Sequence, residues 1–268
     1  MMNELISIVV ISYNSAKTIV ETLNSIKNQT YPNIEIIVSD DCSTDHTVEM
    51  VEDWMKSNQN IKLVTSNVNT GIPGNVNRGI KASSGTAVKL IAADDMLMPN
   101  AVEVYYKNYL VNDSKTINVA RVELFGDVTQ KHIDYCENCY VFASQRNQYE
   151  QLLITNCLLA PSVGLLDKKM IIENGMFNEN YPAFEDYPFY LKLSKKGYYF
   201  KLIDTPLVRY RVSDNSVGNG MSKRYLKSLS KFFFQEKLKM LLEMKMYLPA
   251  VRQSLGYGKL FIKSIFVA

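Results

Sequence analysis

Twice in its first hundred residues the chain runs an apolar, strand-length segment into two adjacent aspartates: residues 34–39 stop at Asp40-Asp41, and residues 85–93 stop at Asp94-Asp95. A strand points neighbouring side chains to opposite faces, so both carboxylates of a pair serve one ligand only if the chain turns there. Taken singly, such a pair reads as a polar turn that accepts backbone N–H bonds and caps the next helix, here the one that Asn100 and Glu103 open. The repetition points elsewhere.

The segments around the pairs alternate in period. Residues 6–11 form a buried-strand run, after which Ser12-Tyr13-Asn14-Ser15 turns into a helix carrying Ala16, Ile19, Val20, Leu23 and Ile26. Residues 34–39 give a second strand, and Ser43 or Thr44 is placed to cap a helix bearing Val48, Val51 and Met55. A short strand over 61–64 and a short helix from Pro73 to Ala82 follow. Strands and helices alternating at these lengths specify an α/β fold, a mainly parallel sheet covered on both faces with right-handed crossovers. Such sheets bind ligands beyond the C-terminal ends of their strands. Tyr13-Asn14, Asp40-Asp41 and Asp94-Asp95 all fall at such ends, and three polar clusters on one rim favour a ligand site over three unrelated turns.

Missing motifs narrow the ligand. No Gly-x-Gly-x-x-Gly follows the first strand and no P-loop motif occurs, which argues against a dinucleotide dehydrogenase and a P-loop enzyme. Clustered carboxylates repel phosphate unless a hard divalent cation, Mn²⁺ or Mg²⁺, lies between them. A metal-bridged nucleotide diphosphate is the consistent guest.

Residues 5–216 resemble the family 2 glycosyltransferases of GT-A fold, most closely the small bacterial enzymes of surface-polysaccharide synthesis. The resemblance rests on Ser12-Tyr13-Asn14, the block from Val38 to Thr47, Asn69-Thr70-Gly71 with Asn77-Arg78-Gly79-Ile80, Asp94-Asp95, Glu185-Asp186, and the segment Tyr210-Arg211-Val212-Ser213-Asp214-Asn215-Ser216. It implies a Rossmann-like central sheet flanked by helices and an inverting, metal-dependent transfer of a sugar from a nucleotide diphosphate donor, a UDP-sugar, to a glycan or lipid-linked acceptor. By the same resemblance Ser12, Tyr13, Asn14, Asp41, Asn77, Asp94 and Arg211 belong to the nucleotide-sugar site, with Tyr13 lining the base pocket and Asp40 supporting the loop. Asp95 holds the metal. Asp186 is the general base that takes the acceptor proton, and Glu185 orients it or touches the donor sugar. The chain departs from the pattern at Val76, Ala92 and Ser213, where the family often has Arg, Asp and His. These departures keep a second reading open, a non-catalytic nucleotide-sugar-binding module of the same fold.

Elsewhere the pattern is plainer. Residues 116–125 read as a strand; 126–146 are polar with scattered aromatics, read as a surface excursion with a hairpin or, by the resemblance, as an acceptor-binding segment. Lys168 to Asn174 is a short helix stopped by Gly175, and Glu185-Asp186 opens a helix closed by Gly197. His46 and His132 have no partner at metal spacing, and Cys136-x-x-Cys139 has no second pair for zinc. With no membrane-length apolar run and no leader-like N-terminus, the expectation is a cytoplasmic protein with reduced cysteines and no nucleic-acid partner.

The net charge of +3 hides an asymmetry: residues 222–268 carry ten Lys/Arg against two Glu, leaving 20 against 25 in residues 1–221. The division expected is therefore a catalytic domain over 1–221 and a basic helical tail over 222–268. In the tail Leu226, Leu229, Phe233, Met240, Leu241 and Met244 recur on one side. Such a stripe suits packing on its own domain, peripheral contact with an anionic membrane, or a homodimer.

Overall fold

The computed structural model describes residues 4–143, 147–155, 159–213 and 223–266. Cys157 and residues 214–216 of the segment Tyr210 to Ser216 lie outside them.

Strand β1 (Ile6–Ser12) leads to helix α1 (Ile19–Lys27), and the unit repeats as β2 (Ile34–Asp40) with α2 (Thr47–Met55) and β3 (Ile61–Thr65) with α3 (Ile72–Ala82). Next come β4 (Ala87–Ala92), β5 (Met96–Leu97), α4 (Ala101–Val111) and β6 (Thr116–Gly126). The chain then forms α5 (Gln130–Ala143), α6 (Gln148–Thr155), β7 (Leu166–Asp167), α7 (Lys168–Glu173), α8 (Asp186–Lys195) and β8 (Tyr199–Val212). Helix α9 (Lys223–Phe232), a π-helical turn (Phe233–Lys237), α10 (Leu238–Glu243) and α11 (Tyr247–Phe266) close it.

The first sheet has the order β3-β2-β1-β4-β7, parallel throughout except for β7. A second sheet, β5-β8-β6, has β6 and β8 parallel over their lengths and β5 antiparallel to β8. The alternation in β1 is why the first sheet is covered twice. Ile6, Ile8 and Val10 pack with Ile19, Leu23 and Ile26 of α1, whereas Val9 joins Val76 and Ile80 of α3.

Two expectations need correction. Residues 126–146 contain the helix α5 and not a hairpin. Its buried residues are Cys136, Cys139, Tyr140, Phe142 and Ala143 while Ile133 and Val141 are exposed, so hydrophobicity and burial disagree along it and the period is hidden. The start of α2 also differs: His46 precedes its first residue without a side-chain cap bond, Asp45 Oδ1 accepts from Thr47 N at 3.0 Å, and Ser43 Oγ is turned to Asp40. The tail stripe packs inward, with Phe233 and Leu241 in the same cluster as Phe184 and Tyr187 and with Leu226 fully buried.

Candidate active site

The Asp94-Asp95 turn bridges the two sheets, since β4 belongs to one and β5 to the other. Helix α1 grips the turn from below. Thr18 Oγ1 donates to Ala93 O at 2.8 Å, Thr22 Oγ1 to Asp95 O at 2.7 Å, and Gln29 Nε2 to Met98 O at 2.7 Å, while Ser25 Oγ accepts from Leu97 N at 3.1 Å. Spacings of four, three and four residues put these four side chains on one helical face. That polar stripe is a signal sequence reading passed over.

Arg211 holds the turn from the other side. Its backbone N–H donates to Asp95 Oδ1 at 2.9 Å, its Nε donates to Asp94 O at 2.9 Å, and its guanidinium pairs with Glu21 and lies 4.4 Å from the centroid of the Phe125 ring. Expected at the donor, Arg211 is committed here to shaping the loop that carries the acids. The carboxylate of Asp95 is likewise no helix cap: α4 begins after Asn100, which makes no side-chain cap bond. Asp95 is buried, and burial first, then the charge of Asp94, pushes its carboxyl up to about 8. Burial also raises Asp94, the more accessible of the two.

The Asp40-Asp41 corner is built of carboxylates that each accept several hydrogen bonds. Asp40 accepts from Ser12 Oγ at 2.8 Å, Ser43 N at 2.8 Å and Ser43 Oγ at 2.5 Å, which is the loop-supporting part expected of it and also accounts for the buried hydroxyl of Ser12. Asp41 Oδ1 accepts from Thr70 N at 3.0 Å, Thr70 Oγ1 at 2.6 Å and the Arg78 guanidinium at 3.1 Å; its Oδ2 accepts from Gly71 N at 2.7 Å. Asp41 therefore locks the 69–71 loop against α3, and Oδ2 retains an acceptor position. Gly71 has φ of 83°, and a Cβ there would stand 2.4 Å from Pro182 O. Asn77 departs from its expected role. Buried, it donates to Phe177 O at 2.9 Å and Glu179 Oε1 at 2.8 Å and accepts from Phe177 N at 3.1 Å, so its amide ties α3 to the 177–179 segment and leaves no donor hydrogen for a nucleotide.

Tyr13 and Asn14 stand exposed on the rim, with Asn14 at φ of 50° and its Oδ1 accepting from Thr44 N at 2.8 Å. Of the departing positions, Val76 is a core residue and Ala92 is exposed at the end of β4.

Glu185 and Asp186 open α8, where Asp186 Oδ1 accepts from Tyr187 N at 2.6 Å. Burial raises both carboxyls, and their mutual repulsion holds Glu185 higher still. Tyr210 links the two acid pairs: burial first, then the charges of Asp95 and Asp94 and, more weakly, Asp186, push its hydroxyl up to about 12. The charges of the Asp94-Asp95 turn and of Asp186 are thus both felt at Tyr210 on β8.

The tail reaches both the 69–71 loop and the neighbourhood of the second acid pair. Arg224 donates to Asn69 Oδ1 at 2.8 Å and stands against Gly71, and the Tyr225 ring lies 5.9 Å from Phe184, beside the second acid pair. Neither residue was singled out from sequence, where both belong to an ordinary basic helix. Lys89 is another. Fully buried on β4, it donates to Pro161 O at 2.9 Å and Val163 O at 2.6 Å, and burial drives its ammonium down to about 7 against the opposing pull of Asp95.

Residues 7–165, more than half of the chain, match the profile described as glycosyl transferase family 2. The chain belongs to the family 2 glycosyltransferases. Its relatives include the Escherichia coli UDP-Glc:alpha-D-GlcNAc-diphosphoundecaprenol beta-1,3-glucosyltransferase WfgD, 28% identical over 221 residues that cover 82% of this chain and 81% of that one. Other matched relatives are longer, and the chain spans 38%, 27% and 16% of the lengths of three of them. Among solved structures, S. aureus TarS 1-349 in complex with UDP-GlcNAc superposes with a TM-score of 0.61 at 18% identity, covering 97% of this glycosyltransferase and 81% of that chain. The mannosyltransferase PcManGT from Pyrobaculum calidifontis, in complex with GDP-Man and Mn²⁺, gives 0.68 at 16% identity, covering 99% and 74%. At these identities the likeness is one of fold, the GT-A-like mainly parallel sheet with flanking helices that the sequence led us to expect.

Proposed function

We infer that this glycosyltransferase moves a sugar from a UDP-sugar to a hydroxyl of a lipid-linked glycan in bacterial surface-polysaccharide synthesis, inverting the anomeric centre. What supports this reading is that acids from separate parts of the chain, Asp94 and Asp95 on one side and Asp186 on the other, all act on the one hydroxyl of Tyr210. The names of the relatives support the substrate class, because WfgD is described as acting on a diphosphoundecaprenol-linked sugar with UDP-Glc.

Tyr13 and the 69–71 loop that Asp41 holds form the walls of the base and ribose site. Asp94 and Asp95 would hold a divalent cation, which supplies positive charge toward the departing diphosphate when bound. Their chemistry fits Mg²⁺ or Mn²⁺, which take one or two carboxylates and complete their shell with phosphate oxygens and water. Among the described residues no group of three His, Cys, Asp or Glu is positioned to hold a metal, consistent with a shell that the donor must complete. Asp186 accepts the proton of the acceptor hydroxyl as it attacks, and Glu185 beside it orients the sugar. Helix α9 reaches the 69–71 loop through Arg224 and the neighbourhood of the second acid pair through Tyr225.

The test is transfer and nucleotide release from UDP-sugars by the parent chain and by Asp186→Asn. Loss of a general base lowers turnover by about 10²–10⁴-fold, and UDP affinity should stay close to that of the parent. Turnover like that of the parent removes Asp186 from the role. UDP-sugar binding without any Mn²⁺-dependent or Mg²⁺-dependent nucleotide release in the parent chain would favour the binding module instead.

A further inference from the structure

Helix α11 is apolar on two sides, and among the described residues only one of them is covered. Ala250, Tyr257 and Ser264 face inward, where Tyr257 stacks on Phe233 with ring centroids 4.3 Å apart and Gln253 Nε2 donates to Leu153 O at 2.9 Å. On the opposite side Leu248, Val251, Leu255 and Ile262 are 80%, 60%, 66% and 57% exposed. Their spacings of three, four and seven residues align them in one stripe along the helix. A surface helix that packs on its own core ordinarily turns polar residues outward, so an apolar outer stripe marks a contact the isolated chain does not make.

Charge identifies the partner. Arg252, Lys259 and Lys263, spaced by seven and four residues, run as an exposed cationic ridge along one edge of the stripe, and residues 247–268 contain no Asp or Glu. Exposed Tyr247 and Phe261 stand near the other edge, as aromatic residues do at a water–lipid boundary. A second copy of the chain meeting this face symmetrically would bring the same ridge with no carboxylate of α11 to answer it. Among nearby acids Glu243 is already paired with Lys195 at 2.6 Å, and Glu236 accepts from Tyr181 at 2.6 Å.

We propose that α11 seats the protein on an anionic lipid surface, with Leu248, Val251, Leu255 and Ile262 in the interfacial layer and Arg252, Lys259 and Lys263 against the headgroups. Helix α11 is not a span, since among the described residues no helix is long and apolar enough to cross a membrane. The reading is independent of the donor and of the acid pairs, which sit on the rim of the other elements.

Sedimentation of the full chain with phosphatidylcholine vesicles, with and without phosphatidylglycerol, tests it. The parent should sediment with the phosphatidylglycerol vesicles and be released as salt is raised. Arg252→Gln/Lys259→Gln/Lys263→Gln should weaken binding roughly a hundredfold, at about fivefold per cation. Val251→Glu/Leu255→Glu should weaken it about tenfold or more by removing the inserted surface. Both variants alter exposed side chains, so their melting transitions and their nucleotide release should match the parent. Equal sedimentation of parent and variants overturns the proposal, as does a parent that binds neither vesicle. A dimer in equilibrium sedimentation that Val251→Glu/Leu255→Glu disperses overturns it in favour of self-association.

Discussion

Individual side chains at this site were legible in type and often not in job. Asp40 was readable as a loop support through the family resemblance, and its partners Ser12 and Ser43 bear that out. Asp41 was not, since its partners Thr70, Gly71 and Arg78 come from a loop and helix about thirty residues on. Replacing Asp41 by Asn leaves the Gly71 N–H facing an amide and Arg78 without its counter-charge. The guanidinium keeps some water contact, so the cost falls toward the low end of the ~3–5 kcal/mol for breaking a buried ion pair, checked by the urea midpoint. Asp95 gives a pH prediction of opposite character. Its folded carboxyl is raised from the ordinary 3.8 to about 8, so between those values the folded chain holds a proton that the unfolded chain has released. Stability from this group is therefore present at low pH and lost as pH rises toward about 8. In chelator, the melting temperature of Asp95→Asn should gain on the parent steadily across that window, although the variant transfers no sugar. A difference that does not change with pH would place Asp95 in a wetter setting than the structure gives it.

Elements were legible where burial followed hydrophobicity. From β1 to β4 the alternation of strands and helices expected is the one found, whereas the two-residue strand β5 was not expected. Helix α5 broke the rule because its inward face is made of cysteine, tyrosine and alanine as much as of aliphatics, while Ile133 and Val141 face water. The grip of α1 on the Asp94-Asp95 turn escaped for a related reason: Thr18, Thr22, Ser25 and Gln29 read as the solvated side of an amphipathic helix, and only the fold shows them meeting backbone carbonyls and an N–H. Helix α11 carries Gly256 and Gly258 in its middle turns, and a Cβ added at either meets nothing within 4 Å. With no contact to justify them, each weakens the helix by roughly 0.5–1 kcal/mol relative to alanine. Gly256→Ala and Gly258→Ala should each raise the melting temperature, and together nearly additively, because neither fills space that another group needs. A loss on either substitution would mean that α11 bends at that glycine in solution.

For the molecule as a whole, the charge asymmetry divides the sequence near residue 221, whereas the packing does not. Leu226 is fully buried, and Phe232, Phe233 and Leu241 lie in a cluster with Phe184, Tyr187 and Phe189 of the α8 region, with Phe232 ringed by Tyr181, Phe184 and Tyr187. Burying a Leu or Phe side chain contributes roughly 1.5–3 kcal/mol. These four alone therefore supply about 6–12 kcal/mol, comparable with the ~5–15 kcal/mol that holds a typical domain folded. A chain ending at residue 221 should lack a cooperative melting transition and collect in the insoluble fraction, and it should not bind UDP, because Arg224 no longer holds Asn69. Membrane contact is consequently read from point variants on the outer face of α11, where a charge changes the surface without opening the core. Should the shortened chain instead melt cooperatively near the parent's temperature, the aromatic cluster around Phe232 would be a docking contact between separate bodies, and the helices from α9 onward would be free to leave the acid pairs uncovered.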